Sequence, residues 1–321
     1  MKILHLLASP FFTGPADTVL QLALEQRALG HDVSVAVDRK RTVTTSEELI
    51  VPRLEAHALL STLPLELSVK STPVAMARDV LALRRAEADV VHAHFSHDHT
   101  LLRFGRPRGA VTVRSIHAPR SVRRFVPAAD GFTVPYDALT RRLLGQRVFI
   151  LPALIPDSLA PGERVGVRGA RRIGMVSTFQ PSRRHELALK AFSKLKDAEL
   201  LLIGDGPLEA QLKAQADARV RFTGYLSGDA FFAQLKTLDE VWILGLGNDW
   251  SARAAAQARA CGVRVVAVDE GALSLYADEL IEPTEAALLS LTGARRALQL
   301  ERAPAIAQRV VQFYESLRER A

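Results

Sequence analysis

The stretch from 241 to 271, VWILGLGNDWSARAAAQARACGVRVVAVDEG, sets two apolar runs, 241–244 and 263–268, on either side of a glycine-rich turn and a helical segment. Short unbroken apolar runs are those of strands covered on both faces, and a helix between two of them makes a parallel βαβ unit. The turn from the first strand into the helix leaves helix N–H groups unpaired. It also turns the positive end of the helix dipole outward, so this corner is where an anionic phosphate ligand can be held. Asp249 lies on it.

The same alternation runs through the rest of the sequence. An apolar run at 3–7, a loop with Gly14 and Pro15, a helix-period segment over 16–29 stopped by Gly30, and a second run at 33–37 make a first βαβ unit. Helices are predicted at 73–85 and 137–144, with strands at 90–92, 111–113, 132–134 and 148–150, completing one doubly wound domain. Between 152 and 169 the sequence has three prolines and three glycines without an apolar period, which predicts a linker. A second series follows, with strands at 173–176, 200–203, 220–222, 241–244 and 263–268. The last segment sets Ile306, Val310, Phe313 and Leu317 four, three and four residues apart, one apolar stripe on a helix. The expected organisation is α/β, with Rossmann-like domains at 1–155 and 171–302, a linker at 156–170 and a terminal helix at 303–321.

Composition narrows the function. With 321 residues, 48% of them hydrophobic and 24% charged, the chain is long enough for two ordinary globular domains. No apolar run is long enough to span a bilayer, and the opening run meets Ser9 and Pro10 too soon for a signal peptide, so a cytoplasmic location is expected. The single cysteine, Cys261, excludes an internal disulfide and a cysteine-based zinc site and reads as core filling. The net charge of +7 is uneven, with Arg103, Arg106, Arg108, Arg114, Arg120, Arg123 and Arg124 in one short region that is expected to attract anions. Only Phe104 and Phe125 interleave with these arginines and no nucleic-acid module is recognisable, so nucleic acid is not the expected partner.

Several separate pieces, in order, resemble the retaining family 4 glycosyltransferases of the GT-B fold. They are RALGHDVSV after the first helix, DVVHAHF at 89–95, SIHAPR at 115–120, LLIGDGPLEAQL at 201–212, VRFTGYLS at 220–227 and QFYESLRER near the end. The 241–271 stretch is similar to the family's donor segment, usually E-G-F-G-x4-E-A-x-A-x-G-x-P-V-V-A. Asp249 and Gln257 stand at its two Glu places, and Arg264 stands at its Pro place. The resemblance spans nearly the whole chain. It implies two Rossmann-like domains with parallel sheets facing across a cleft, the first on the acceptor side, the second for the donor, with the last helix crossing back to the first domain.

The resemblance also implies an activity: metal-independent, cofactor-free retaining transfer from a nucleotide-sugar, UDP- or GDP-linked, to a glycan or lipid-linked acceptor in cell-envelope polysaccharide or lipopolysaccharide synthesis. As the glycosidic bond breaks, charge builds on the diphosphate, and cations and helix N-termini stabilise it. The family's phosphate-binding Arg and Lys fall at Thr178 and Arg183, with Arg184 beside them. Arginine can grip a diphosphate bidentately, although the Arg183–Arg184 pair also reads as a solvated helix start. Asp249 matches the residue that contacts the donor sugar's hydroxyls and Gln257 the one that holds the ribose. Arg253, one helical turn beyond Asp249, is either a third member of that pocket or an exposed helical arginine. The base falls to backbone groups around Gly224, Tyr225 and Leu226. Gly14 in the loop 12–17 matches a glycine loop that closes on the donor phosphate, here stiffened by Pro15. His117 matches the histidine beside the donor sugar at the reaction centre; its other reading is a core or surface histidine. Basic first-domain surfaces of such enzymes rest on anionic membrane, which implies peripheral contact through 103–124.

Two other functions fit parts of the sequence. Thr178, Gln257 and the lone Gly14 suit a GT-B-like protein that has lost transfer and serves as a binding or scaffold subunit. His92, His94, His97, Asp98 and His99 offer imidazoles and a carboxylate as in a metallohydrolase, although the H-x-H-x-D-H pattern needs Asp where Ser96 stands.

Overall fold

Five of the six residues of the first strand, β1 (Lys2–Leu7), are buried, as a strand covered on both faces requires. The computed structural model that shows this describes residues 1–41, 48–122, 128–159, 169–247 and 250–320. After β1 come α1 (Gly14–Ala28), β2 (Asp32–Val37), α2 (Val51–Ala56), α3 (Pro73–Arg84), β3 (Val90–Ala93), α4 (Ser96–Gly105), β4 (Val111–Ser115), β5 (Gly131–Val134) and β6 (Val148–Ile150). All six strands run parallel in the order β2-β1-β3-β4-β5-β6.

A second sheet repeats the plan. Its elements are β7 (Arg171–Val176), α5 (His185–Phe192), β8 (Ala198–Ile203), α6 (Glu209–Gln215), β9 (Val220–Gly224), α7 (Gly228–Leu235), β10 (Glu240–Ile243), α8 (Arg253–Ala260), β11 (Arg264–Ala267), α9 (Leu273–Tyr276), β12 (Glu279–Leu280) and α10 (Glu285–Leu289). The order is β12-β11-β10-β7-β8-β9, again parallel. The last helix, α11 (Ala303–Arg318), belongs with the first sheet. The chain divides into a unit of Met1–Pro156 with Glu301–Ala321 and a unit of Asp157–Leu300.

Helix α11 joins the first core through Ile306, Ala307, Val310, Tyr314 and Leu317, packed with Val19, Leu22 and Ala23 of α1. It lies close to the sheet at Gly131, where a Cβ would stand 2.7 Å from both Leu317 Cδ1 and Phe313 Cζ. The predicted stripe is therefore shifted. Phe313 sits at its edge against the Phe149 ring, while Tyr314 is fully buried.

Two other expectations change, and a third is only partly within the described residues. Helix α1 starts at Gly14, so Pro15 stands in its first turn, where a missing N–H costs nothing, rather than stiffening a loop. The helix predicted over 137–144 is a 3₁₀ turn, Asp137–Arg142, and Leu144 beyond it is exposed. Of the predicted linker, 160–168 lies outside the described residues.

Each sheet starts in its middle. From β1 the chain goes out to β2 and returns on the other side at β3; from β7 it goes out through β8 and β9 and returns at β10. The loops leaving β1 and β3, and those leaving β7 and β10, therefore part at the carboxyl ends of the strands, and a crevice opens there in each unit. In the second unit the loop after β7 is folded against the loop after β8. Phe179 N–H donates to Asp205 O (2.7 Å) and Leu208 N–H to Phe179 O (3.1 Å). Only glycine fits between them at 206, where φ is +150° and a Cβ would lie 2.7 Å from Phe179 N. Gly206→Ala is expected to lower the stability of this unit by about 2 kcal/mol or more, read as an earlier urea transition; an unchanged midpoint would contradict this packing.

Candidate active site

In the second unit the helices that follow β7 and β10 both begin on a non-glycine residue in the left-handed region, Arg184 (φ 58°, ψ 39°) before α5 and Ala252 (φ 50°, ψ 34°) before α8. Such a conformation costs about 1 kcal/mol or more for a residue with a Cβ, and it persists only where surrounding contacts impose it. The loops leading to both residues are tied down. Leu246 N–H donates to Ser182 O across the crevice (3.2 Å), and Gly247 N–H donates to the Glu270 carboxylate. Ser177 Oγ lies 3.1 Å from His185 Nε2, and the Phe179 ring stands edge-on to the imidazole. Burial, and then the charge of Arg183, hold the His185 imidazole down to about 4, so it is neutral at ordinary pH.

The expected donor residues gather at the carboxyl edge of this one sheet. Arg183 closes the 3₁₀ turn Pro181–Arg183 and Arg184 follows it, its Nη1 buried without a hydrogen-bond partner among the described residues; His185 Nδ1 is in the same state. Arg253 is the first residue of α8, and Gln257, one turn on, is buried. Gly224 ends β9 at φ +71°, and its carbonyl accepts from Gly204 N–H (2.9 Å) in the loop that also braces 177–179. Tyr225 beyond it is exposed and Leu226 half-buried. Asp249 lies outside the described residues.

The first unit holds Gly14 and His117. Gly14 opens α1, and a Cβ added there would meet nothing within 4 Å, so the helix start is open. His117 stands two residues past β4, its ring 5.8 Å from that of His94 and 6.0 Å from that of Phe95. Burial brings its imidazole down to about 4, and its Nε2 has no partner among the described residues.

The crevice between β1 and β3 is filled by a carboxyl group. Asp98 accepts from the N–H groups of Ala8 (3.2 Å), His94 (3.1 Å) and Phe95 (2.9 Å). Burial raises this carboxyl to about 7, against the pull of those amides. Amides at the carboxyl ends of β1 and β3 that would serve an anion are thus taken by the protein's own acid. In the second unit the loop between β7 and α5 carries Arg183 and Arg184.

The run from His92 to His99 does not form one set of metal ligands. His92 and His94 meet His5 instead, with ligand atoms within 4.8 Å of one another. Five of the six ring nitrogens of that trio are already in hydrogen bonds: His5 to His94 and Gln26, His92 to Tyr314 and Ser115. Asp98 is occupied as described, and His99 lies against the Arg114 guanidinium (3.3 Å). Arg114 is itself buried, bonded to Ser96 Oγ and Ser121 O, so it leaves the surface predicted to attract anions. Arg103, Arg106, Arg108 and Arg120 are exposed, Arg106 paired with Asp130; Arg123 and Arg124 lie outside the described residues.

The sequence is matched over 12–150 by the model of Glycosyltransferase Family 4 and over 170–315 by that of Glycosyl transferases group 1, which together cover nearly all of it. Among solved structures it is similar to the sucrose-phosphate synthase of Thermosynechococcus elongatus, at 16% identity and a TM-score of 0.74 over the whole of both chains. It is also similar to HepE of Anabaena in complex with UDP and glucose, at 16% identity and a TM-score of 0.68 over 99% of this chain and 97% of that one. A third is the lipopolysaccharide outer core galactosyltransferase WaaB, at 13% identity and a TM-score of 0.62 over 99% and 97%. No curated protein matches the sequence. The two six-stranded parallel sheets define a GT-B fold. The chain is a glycosyltransferase of this fold, similar to Glycosyltransferase Family 4 in its first half and to Glycosyl transferases group 1 in its second.

The depressed imidazoles have a consequence for stability. In the unfolded chain histidine takes up its proton near pH 6.5, whereas His5 and His117 in the fold do so only near 4, and His92 and His94 also lie well below 6.5. Between these values the folded state binds fewer protons, so this stabilisation is complete above pH 6.5 and is lost as pH falls towards 4. Asp98 works in the opposite sense, but as one group against several. Thermal melts should show the midpoint falling steadily from pH 6.5 to 4; a flat profile would contradict buried neutral histidines.

Proposed function

We propose that the protein is a metal-independent retaining glycosyltransferase that binds a UDP- or GDP-linked sugar on its second unit and transfers the sugar to a glycan or lipid-linked acceptor held by its first. The observation that carries this reading is the contrast between the two crevices: Asp98 accepts the amides in one, while the loop after β7 at the other carries Arg183 and Arg184. The UDP-bound and UDP-glucose-bound structures of HepE support a UDP-sugar, and the likeness to WaaB supports an acceptor in lipopolysaccharide or related envelope polysaccharide.

In this reading Arg183, Arg184 and the amino end of α8 take up the charge that grows on the departing diphosphate. Asp249 binds the donor sugar's hydroxyls, Gln257 with Arg253 the ribose side, and the backbone of Gly224, Tyr225 and Leu226 the base. Gly14 leaves the start of α1 bare for close approach. His117, a neutral imidazole, stands beside the anomeric carbon without opposing its positive charge. The leaving phosphate helps to deprotonate the acceptor hydroxyl, so the protein supplies no nucleophile.

No helix among the described residues is long and apolar enough to cross a membrane. The enzyme works in the cytoplasm, and exposed Arg103, Arg108 and Arg120 bring it to anionic lipid; vesicles of anionic lipid should recruit it at low salt and release it at high salt, and indifference to such vesicles would remove the membrane contact.

UDP, GDP, ADP and CMP tested by thermal shift separate donor binding from its absence. One nucleotide should raise the melting temperature, and Arg183→Ala should weaken that nucleotide's binding by about tenfold or more. No response to any nucleotide would contradict the donor site. Binding without turnover of any sugar nucleotide would favour the scaffold reading, to which Thr178 and Gln257 lend support.

A further inference from the structure

Six hydrogen bonds join buried side chains of the first unit in one line. His94 Nε2 meets His5 Nδ1 (3.0 Å), and His5 Nε2 meets Gln26 Oε1 (2.8 Å). Gln26 Nε2 meets Tyr314 Oη (3.4 Å), and Tyr314 Oη meets His92 Nδ1 (2.6 Å). His92 Nε2 then meets Ser115 Oγ, and Ser115 Oγ meets Thr133 Oγ1, both at 2.8 Å. All seven side chains are buried, and they come from β1, α1, α11, β4, β5 and both β3 and the residue that follows it.

The amide of Gln26 gives this line a direction, because its carbonyl faces His5 and its NH2 faces Tyr314. His5 must donate from Nε2. A neutral imidazole has one N–H, so His5 Nδ1 is a lone pair and accepts from His94 Nε2–H. His94 then has its lone pair at Nδ1. In the other direction Gln26 donates one of its two amide protons to Tyr314, and Tyr314 then donates to His92, His92 to Ser115 and Ser115 to Thr133, each with the one proton it has to give. Every ring nitrogen on the line is used except one. His94 Nδ1 is buried with no partner among the described residues.

That nitrogen lies where the chemistry of the unit is expected. His94 follows β3 at the carboxyl edge of the sheet, and its ring faces that of His117, 5.8 Å away and inclined by 27°. His117 Nε2 is likewise unpartnered. A bare acceptor in an otherwise satisfied buried network is costly unless something donates to it, and such a group in a native fold calls for a missing partner. A hydroxyl is the partner that suits both rings, since one hydroxyl can donate to one nitrogen and accept from the other.

We infer that His94 is a substrate-positioning residue: its Nδ1 accepts a hydrogen bond from a sugar hydroxyl beside His117, and the line through His5, Gln26 and Tyr314 keeps that nitrogen an acceptor. The inference rests on the transferase reading and names a substrate requirement within it. The sugar must present a hydroxyl at this point, and an analogue lacking that hydroxyl is a poorer substrate. Tyr314, at the far end of the sequence, acts on this position through Gln26 and not by contact with the sugar.

The full chain labelled with 15N in its histidine rings tests this by nuclear magnetic resonance. Without ligand, His94 should have its proton on Nε2 and none on Nδ1; a proton on Nδ1 overturns the inference. UDP should leave the His94 Nδ1 resonance in place. UDP-glucose, or whichever sugar nucleotide stabilises the protein in the thermal screen, should move it as an accepted hydrogen bond does, alone or with the acceptor present. His94→Asn, which keeps an acceptor oxygen, should hold kcat/KM within a few-fold, and His94→Phe should lower it about tenfold or more. A Nδ1 resonance that no sugar nucleotide or acceptor moves in an enzyme that turns over means that an ordered water is the only partner, and the inference falls while the transferase reading stands. If no nucleotide binds the second unit, the transferase reading itself falls.

Discussion

Two pairs of parallel strands, β1 with β3 and β7 with β10, govern what this chain can do, because each pair is hydrogen-bonded side by side while its two loops turn to opposite faces of the sheet. The divergence leaves a crevice at the carboxyl end that the backbone alone creates. What enters each crevice is then decided by side chains. Asp98 reaches back from α4 and takes up the free amides of the first, so that crevice is closed by the protein's own acid. The second is bordered by Arg183 and Arg184 and by two helix starts held in the left-handed region.

The first unit uses its interior for another purpose. A sheet buried on both faces has no solvent for polar side chains, so His5, Gln26, His92, Ser115, Thr133 and Tyr314 satisfy one another, and burial keeps the imidazoles neutral. Tyr314 draws the last helix into this arrangement. The second unit has a counterpart at the opposite end of its strands. Arg264, at the place where the resembling family has proline, is buried with Glu240 (2.6 Å), paired also with Glu279, and donates from Nε to Ala294 O (2.9 Å). Glu240 holds Trp242 Nε1 and Arg171 as well. The substitution therefore fixes the segment after α10 to the floor of the sheet and lies away from the ligand edge.

Much of this was legible in the sequence. The alternation of apolar runs with helix-period segments gave the strands and most helices, and their repetition gave two Rossmann-like units. The side of the sheet on which Arg183, Arg184, Gly224 and Gln257 would fall followed from their places after strands. What escaped were positions where one residue's type says little about its surroundings. His5 stands between leucines in a run that reads as plain core, and only a strand covered on both faces makes its polarity a demand for a partner. Tyr314 adjoins the predicted stripe of Phe313 and Leu317, and a small rotation of the helix placed it inside. Arg114 was counted with its charged neighbours, although it lies on a strand where alternation with Val111 and Val113 gives no rule once both faces are buried. Arg184 and Ala252 carry no glycine-like signal of the left-handed conformation they adopt.

The central claim is that the diphosphate of a sugar nucleotide binds at the carboxyl ends of β7 and β10 and not at those of β1 and β3. Titrating the 15N-labelled protein with UDP and following its backbone amides tests this most directly. The account predicts that amides of 177–185 and of the first turn of α8 shift, while those of Ala8, His94 and Phe95, which are bonded to Asp98, stay in place. Shifts confined to Ala8, His94 and Phe95, with 177–185 unmoved, would contradict it.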